Sequence, residues 1–181
     1  MAGMAFPRRI PAPLRSTLRS TDGRRLRLVT AGAAAATFSG LPSTVYALAT
    51  GGDVLQATRA AATLVPGRRD RSGVVAGATV HVVVSAGWIT VLAAIDRRRG
   101  LGLAGGCAAG LLIGALDLEV VGRAYPAIRS LPRLPQWLDH VAFGAIAGVL
   151  LGGPPARHHR SRANVTHSSF RGVRVPTLHA R

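Results

Sequence analysis

The chain has 181 residues, 23 basic against 7 acidic side chains, a formal charge of +16, 48% apolar residues and one cysteine. That length suits one compact unit, and the single thiol excludes an intrachain disulfide and a multi-thiolate metal site. So high a charge would suit phosphate binding, but the arginines flank apolar runs as they do around membrane spans; lipid headgroups, not nucleic acid, are the expected partner.

Residues 1–27 carry seven arginines and three prolines with little apolar periodicity, which predicts a basic tail without fixed structure. The apolar run Leu28–Leu48 follows. Arg24-Arg25 before it and Ala47-Leu48-Ala49 near its end allow a cleaved twin-arginine signal, but the 21-residue run is also long enough to anchor as a first span. Pro42 lies inside it, within Ser39-Gly40-Leu41-Pro42-Ser43-Thr44. The proline ring removes one backbone hydrogen bond and clashes with the carbonyl four residues back. The helix should therefore break near Phe38, with Ser39, Ser43 and Thr44 satisfying the freed groups that lipid cannot.

Asp53 is placed to cap a short helix over Val54–Val65, ended by Pro66-Gly67. This piece is too short to cross a bilayer, so it is expected as an interfacial or re-entrant helix, with Arg59 available to pair with a buried acid. Gly73–Ile95 is a second span whose one ionisable residue is His81. A tight link, Asp96–Gly100, leads to a third span, Leu101–Gly122, which holds Cys107, Asp117 and Glu119. The proline-bearing stretch Ala124–Pro135 then delivers Trp137, Asp139 and His140 to a fourth span, Leu134–Gly152. Residues 153–181 are a second basic tail, with six arginines and four histidines that lack the regular spacing of a metal site. The fold class expected is therefore all-α: an integral membrane four-helix bundle with a short interfacial or re-entrant helix between the first and second spans.

Small residues recur every fourth position in each span: Gly32, Ala36, Gly40 and Thr44; Gly73, Gly77, His81 and Ser85; Gly102, Gly106, Gly110 and Gly114; His140, Gly144, Gly148 and Gly152. Because lipid supplies little hydrophobic drive between helices, such stripes should face one another and let backbones approach. On this spacing His81, Asp117 and His140 point inward, and at about 1.5 Å per residue they gather in the outer half of the membrane. Glu119 has a ready partner in Arg123 at i+4, and Asp139 can meet Arg133 or water. Asp117 has no local partner, and an unpaired charge at that depth costs roughly 2.5–3.5 kcal/mol, so His81 or His140 is its expected partner. Trp88, Tyr125 and Trp137 read as interfacial anchors.

With the N-terminus inside, 16 arginines fall on the cytoplasmic side and 7 outside, which predicts a multi-pass protein of the bacterial inner membrane with both termini cytoplasmic. All 23 basic residues are arginine, as high-GC codon usage produces. The segments Ser39–Thr44, Asp53–Ala61, Ala115–Arg123 and Leu134–Gly148 together resemble a family of small polytopic membrane proteins of high-GC, actinobacterial-type bacteria, over roughly the central two-thirds of the chain. The resemblance supplies no activity and no functional residue.

No nucleotide-binding glycine fingerprint follows a strand, and no Gly-x-Ser-x-Gly elbow, His-Glu-x-x-His pair or Cys-x-x-Cys site is present, so neither a cofactor nor a resident metal nor an enzyme is expected. The leading expectation is a structural or accessory membrane protein with an Asp/His interhelical clamp, partnered by lipids and by a second copy or another membrane protein. The alternative is a small proton-linked or solute transporter using Asp117 and His81, with Pro42 breaking a helix beside its path.

Overall fold

A computed structural model describes residues 12–67 and 73–152, with side chains from Asp22 onward. The elements are α1 (Ala12–Phe38), α2 (Leu41–Thr50), α3 (Gln56–Ala61), α4 (Val74–Arg99), α5 (Gly102–Gly114), α6 (Pro126–Arg129) and α7 (Arg133–Leu151). A 3-10 turn, Ala62–Leu64, follows α3. Beyond α5 the helix continues as a π segment, Ala115–Val121, and then a 3-10 turn, Gly122–Ala124. All the secondary structure among the described residues is helical.

Four stretches are long and apolar enough to cross a membrane: Asp22–Thr50, Val74–Arg99, Gly102–Ala124 and Arg133–Leu151. Large apolar side chains such as Leu48, Val75, Val83, Leu112 and Val149 stand exposed around the outside of the bundle. In water that surface would be a liability, whereas hydrocarbon solvates it. This is the make-up of a multi-pass membrane protein.

Where the sequence predicts a tail without fixed structure as far as residue 27, helix α1 already runs from Ala12. Pro13 falls in its first turn, where a missing N–H costs nothing, and the arginines and leucines that follow are good helix formers. The rest of that tail, and the whole of 153–181, lie outside the described residues.

The first span is interrupted at Ser39-Gly40, as Pro42 requires. Pro42 occupies the first turn of α2, and the N-cap Gly40 carbonyl accepts the first helical bond from Thr44 N at 3.1 Å together with side-chain bonds from Ser43 Oγ at 3.1 Å and Thr44 Oγ1 at 2.8 Å. Ser39 is buried.

The helix between the first two spans is shorter than Val54–Val65, and its N-cap position is Leu55. Asp53 still organises the entry: its carbonyl accepts from Gln56 N at 3.1 Å and its Oδ1 from Leu55 N at 2.9 Å. Arg59 pairs with this half-exposed Asp53, not with a buried acid. Helix α3 lies against α4 and α6; a Cβ at Gly77 would occupy the position of the Thr58 carbonyl oxygen, so only glycine admits that approach.

Helices α5 and α7 run antiparallel in the closest pairing of the bundle. Gly106 faces Gly144 and Gly148, Gly110 faces His140 and Val141, and Gly114 faces Trp137 and His140. A Cβ at Gly144 would lie 2.7 Å from Gly110 Cα, closer than carbon atoms pack. The third and fourth small-residue stripes therefore form one seam. The first stripe is displaced by a residue: the buried line on α1 is Ala31, Ala35 and Ser39, while Gly32 meets only the side chain of Ile89 and Gly40 faces open space. The main core joins Ala31 and Ala35 of α1, Ile89 and Leu92 of α4, Ile113 of α5 and Phe143, Ala147 and Leu151 of α7.

The turn from α4 to α5 uses Gly100 at φ +67, a left-handed conformation that other residues resist. Asp96 caps it, its carbonyl accepting from Gly100 N at 2.9 Å and its Oδ1 from Leu101 N at 2.8 Å.

Candidate functional site

The polar residues inside the spans collect at the level of the interrupted first span, toward the end of the bundle that carries α3. Asp117 lies in the π segment, where the Gly122 N–H reaches back five residues to the Asp117 carbonyl. Such i→i+5 turns are uncommon and often mark functional positions in helices. Gly122 permits this one, since a Cβ there would press on the Asp117 carbonyl and on Ile128, both at 2.9 Å. Arg133, from the start of α7, braces the same segment by donating to the Leu118 carbonyl at 3.3 Å.

Two neighbouring helices supply what the sequence of this segment lacks. Trp88 Nε1 of α4 donates to Asp117 Oδ2 at 3.2 Å, and His140 Nε2 of α7 stands 3.4 Å from the same oxygen. Both Asp117 and His140 are largely buried. Of the two expected partners, then, His140 meets Asp117 and His81 does not. Trp88, read from the sequence as an interfacial anchor, is a partly buried hydrogen-bond donor to Asp117. Its spacing contained that signal, because Ser85, Trp88, Ile89 and Leu92 share one face of α4 and the other three are buried.

His81 is exposed on α4, contrary to the inward orientation expected from its stripe. Its Nε2 stands 2.9 Å from the carbonyl oxygen of Ala36, close to where α1 ends. A carbonyl only accepts, so His81 Nε2 carries the proton of this bond.

At the other side of the interruption, Asp139 of α7 accepts from Ser43 N of α2 at 2.9 Å. The first N–H groups of a helix have no partner within it, and a carboxylate satisfies them and the positive end of the dipole together. Asp139 thus caps α2 across helices, where Arg133 or water was expected. The break that Pro42 causes is consequently closed by two side chains, His81 on the carbonyl side and Asp139 on the amide side.

Arg133 turns to Glu119 at 3.5 Å, and Arg123 reaches the other Glu119 oxygen at 3.5 Å, the i+4 pairing expected from sequence. Among the described residues no three His, Cys, Asp or Glu side chains come together as a metal site.

A cleft of about 230 Å³ opens between α2, the α2–α3 link and the start of α7, lined by Ser43, Tyr46, Thr50, Gln56, Pro135 and Gln136 among others. From Thr50 to Ser43 it descends about 10 Å along α2. Gln136, at its floor, is 8% exposed, and its backbone carbonyl lies 2.8 Å from His140 Nδ1. The cleft therefore ends one helical turn from the Asp117–His140 contact.

Comparison with protein-family models, curated proteins and solved structures returns no match for this chain.

Proposed function

We propose that this protein is a structural or accessory helix-bundle protein of the bacterial cell membrane, in which Asp117 and His140 form an interhelical clamp. One observation carries the reading: Asp117 contacts both Trp88 of α4 and His140 of α7, so a single carboxylate ties three spans together. Asp139 and His81 add ties of the same kind, each spent on the backbone of the interrupted first span. Polar groups committed to neighbouring helices serve assembly, and no recognised catalytic motif accompanies them. The distribution of arginines supports an arrangement with both termini in the cytoplasm.

On this reading the protein works through a lasting association, with a second copy or another membrane protein. Purification in mild detergent followed by chemical crosslinking is expected to recover such a complex. Recovery of a monomer that carries ions when reconstituted in liposomes would reject the accessory role.

A second reading, a small proton-linked or solute transporter, is favoured by the interruption of the first span beside a cleft. Unwound helix ends flanked by ionisable groups are where secondary transporters bind their cargo. Its residues would be Asp117 and His81, as the sequence suggests, with His140 now beside Asp117. Flux into liposomes that is unchanged by both Asp117→Asn and His81→Ala would remove these residues from any path.

A further inference from the structure

The hydrogen bonds around His140 count protons. Its Nδ1 lies 2.8 Å from the Gln136 carbonyl oxygen, which can only accept, so Nδ1 carries a proton. A neutral imidazole has one N–H, so in that form Nε2 would present a bare lone pair to Asp117 Oδ2, 3.4 Å away. If Asp117 were ionised as well, two acceptors would face each other in a site with little water to separate them. Trp88 donates to the same Oδ2.

We infer that Asp117 and His140 together form a proton-binding site, holding, in addition to the proton on Nδ1, one proton between Oδ2 and Nε2 that joins the π segment to α7. The proton rests either on nitrogen, giving an imidazolium beside a carboxylate, or on oxygen, giving a neutral acid that donates to imidazole. Both forms contain the same number of protons, and both convert the facing acceptors into a hydrogen bond. Charge-assisted hydrogen bonding in the first form and charge neutrality in the second each suit a low-dielectric site.

The surroundings are consistent with one exchangeable proton. On α7, Asp139 precedes His140 and is within electrostatic range of it and of His81. Asp139 is itself held by Ser43 N. Glu119 of the π segment is turned to Arg123 and Arg133. Helix α4 contributes the neutral Trp88, α2 brings Tyr46 no nearer than the cleft, and the described charged residues of α1 cluster at its opposite end. Cys107 sits about 15 Å farther along the third span. Gln136 lines the cleft and its backbone carbonyl holds His140, so the cleft approaches to within one helical turn of the pair from the α3 end of the bundle.

The inference rests on the clamp reading only for its consequence, that deprotonation loosens α7, and the two fail separately. The test uses the full chain with ¹⁵N-labelled histidine in lipid nanodiscs. Resonances are assigned with His140→Gln, and the carboxyl C=O stretch of Asp117 is followed by infrared difference spectroscopy against Asp117→Asn. At neutral pH, two outcomes support the proposal: both His140 ring nitrogens protonated, or only Nδ1 protonated together with a protonated-acid band that disappears in Asp117→Asn. Two others overturn it: an ionised Asp117 beside a His140 protonated on Nδ1 alone, or a proton on Nε2 with Nδ1 bare.

In a Trp137→Phe background, Trp88 emission should shift in a single one-proton step as alkali removes the proton, and the step should vanish in Asp117→Asn. These spectra require no stability change, so they remain decisive if the clamp contributes little to assembly. Conversely, a loss of helix contacts in Asp117→Asn without a shared proton would leave the clamp standing and reject the proton.

Discussion

The seam between α5 and α7 and the junction around Asp117 hold the bundle together by opposite means. Along the seam, Gly106, Gly110, Gly144 and Gly148 contribute almost no side chain, and contact is between backbones. At the junction, individual polar contacts cross between helices: Trp88 donates to Asp117, Ser43 N donates to Asp139, and His140 stands beside Asp117. The seam depends on nothing being added, and the junction on nothing being taken away. In lipid both are workable, since packing replaces the missing hydrophobic drive and a polar group finds few partners other than protein.

The largest effect is expected where space is smallest. Gly144→Leu places atoms against the Gly106 carbonyl and the Gly110 backbone, neither of which can swing aside. It should destabilise the bundle by about 3 kcal/mol, the upper end of overpacking costs, read as a lower SDS fraction at unfolding. Gly87→Leu, on a helix face with nothing within 4 Å, should leave the transition nearly unchanged. Equal behaviour of the two variants would mean that the seam is not a principal contact.

Next comes the junction. Asp117→Leu strands the Trp88 N–H and the His140 ring at once, and should cost about 1.5 kcal/mol, near the most that single intramembrane hydrogen bonds contribute. Asp117→Asn keeps an oxygen for Trp88 and should cost less. The comparison between seam and junction is sharpened by pH: the Asp117→Leu deficit should shrink as alkali removes the proton from the wild-type pair, while the Gly144→Leu deficit should stay constant.

Asp139→Ala removes the cap on α2 and should cost about 1 kcal/mol, with Asp139→Asn recovering most of it. Hydrogen exchange locates the effect: the Ser43 amide should lose protection first. Uniform protection in Asp139→Ala would show that α2 is capped by something else.

These expectations also show what was legible in the sequence. The seam was readable because glycines every fourth residue need only be counted, and the break was readable because a proline has one physical effect inside a helix. The partners at the junction were harder. His81 shares its spacing with Gly77 and Ser85, yet a stripe gives only a direction around the helix, and the Ala36 carbonyl holds the ring at the bundle's edge. Position at the start of α7 offers Asp139 either Arg133 or water, but Arg133 is drawn to Glu119 and the Leu118 carbonyl in the π segment. That segment shifts the register of the third span beyond Gly114, and nothing in an α-helical period foretells it. The unpaired amides at the start of α2 were the available clue: once Pro42 frees them, they call for an anion.

The smallest effect is expected from the most conspicuous ion pair. Arg59 and Asp53 are oppositely charged and in contact, but both side chains are more than two-fifths exposed, at 41% and 46%. Solvent and salt screen such a pair, and two flexible side chains lose entropy in forming it, so Arg59→Ala should cost about 0.5 kcal/mol or less. Asp53 would keep its bond from Leu55 N, so the entry to α3 survives. A deficit as large as that of Asp117→Leu would place Arg59 in a stronger contact than this exposed pair, and would blur the division between a bundle held by its interior and a loop that merely rests on it.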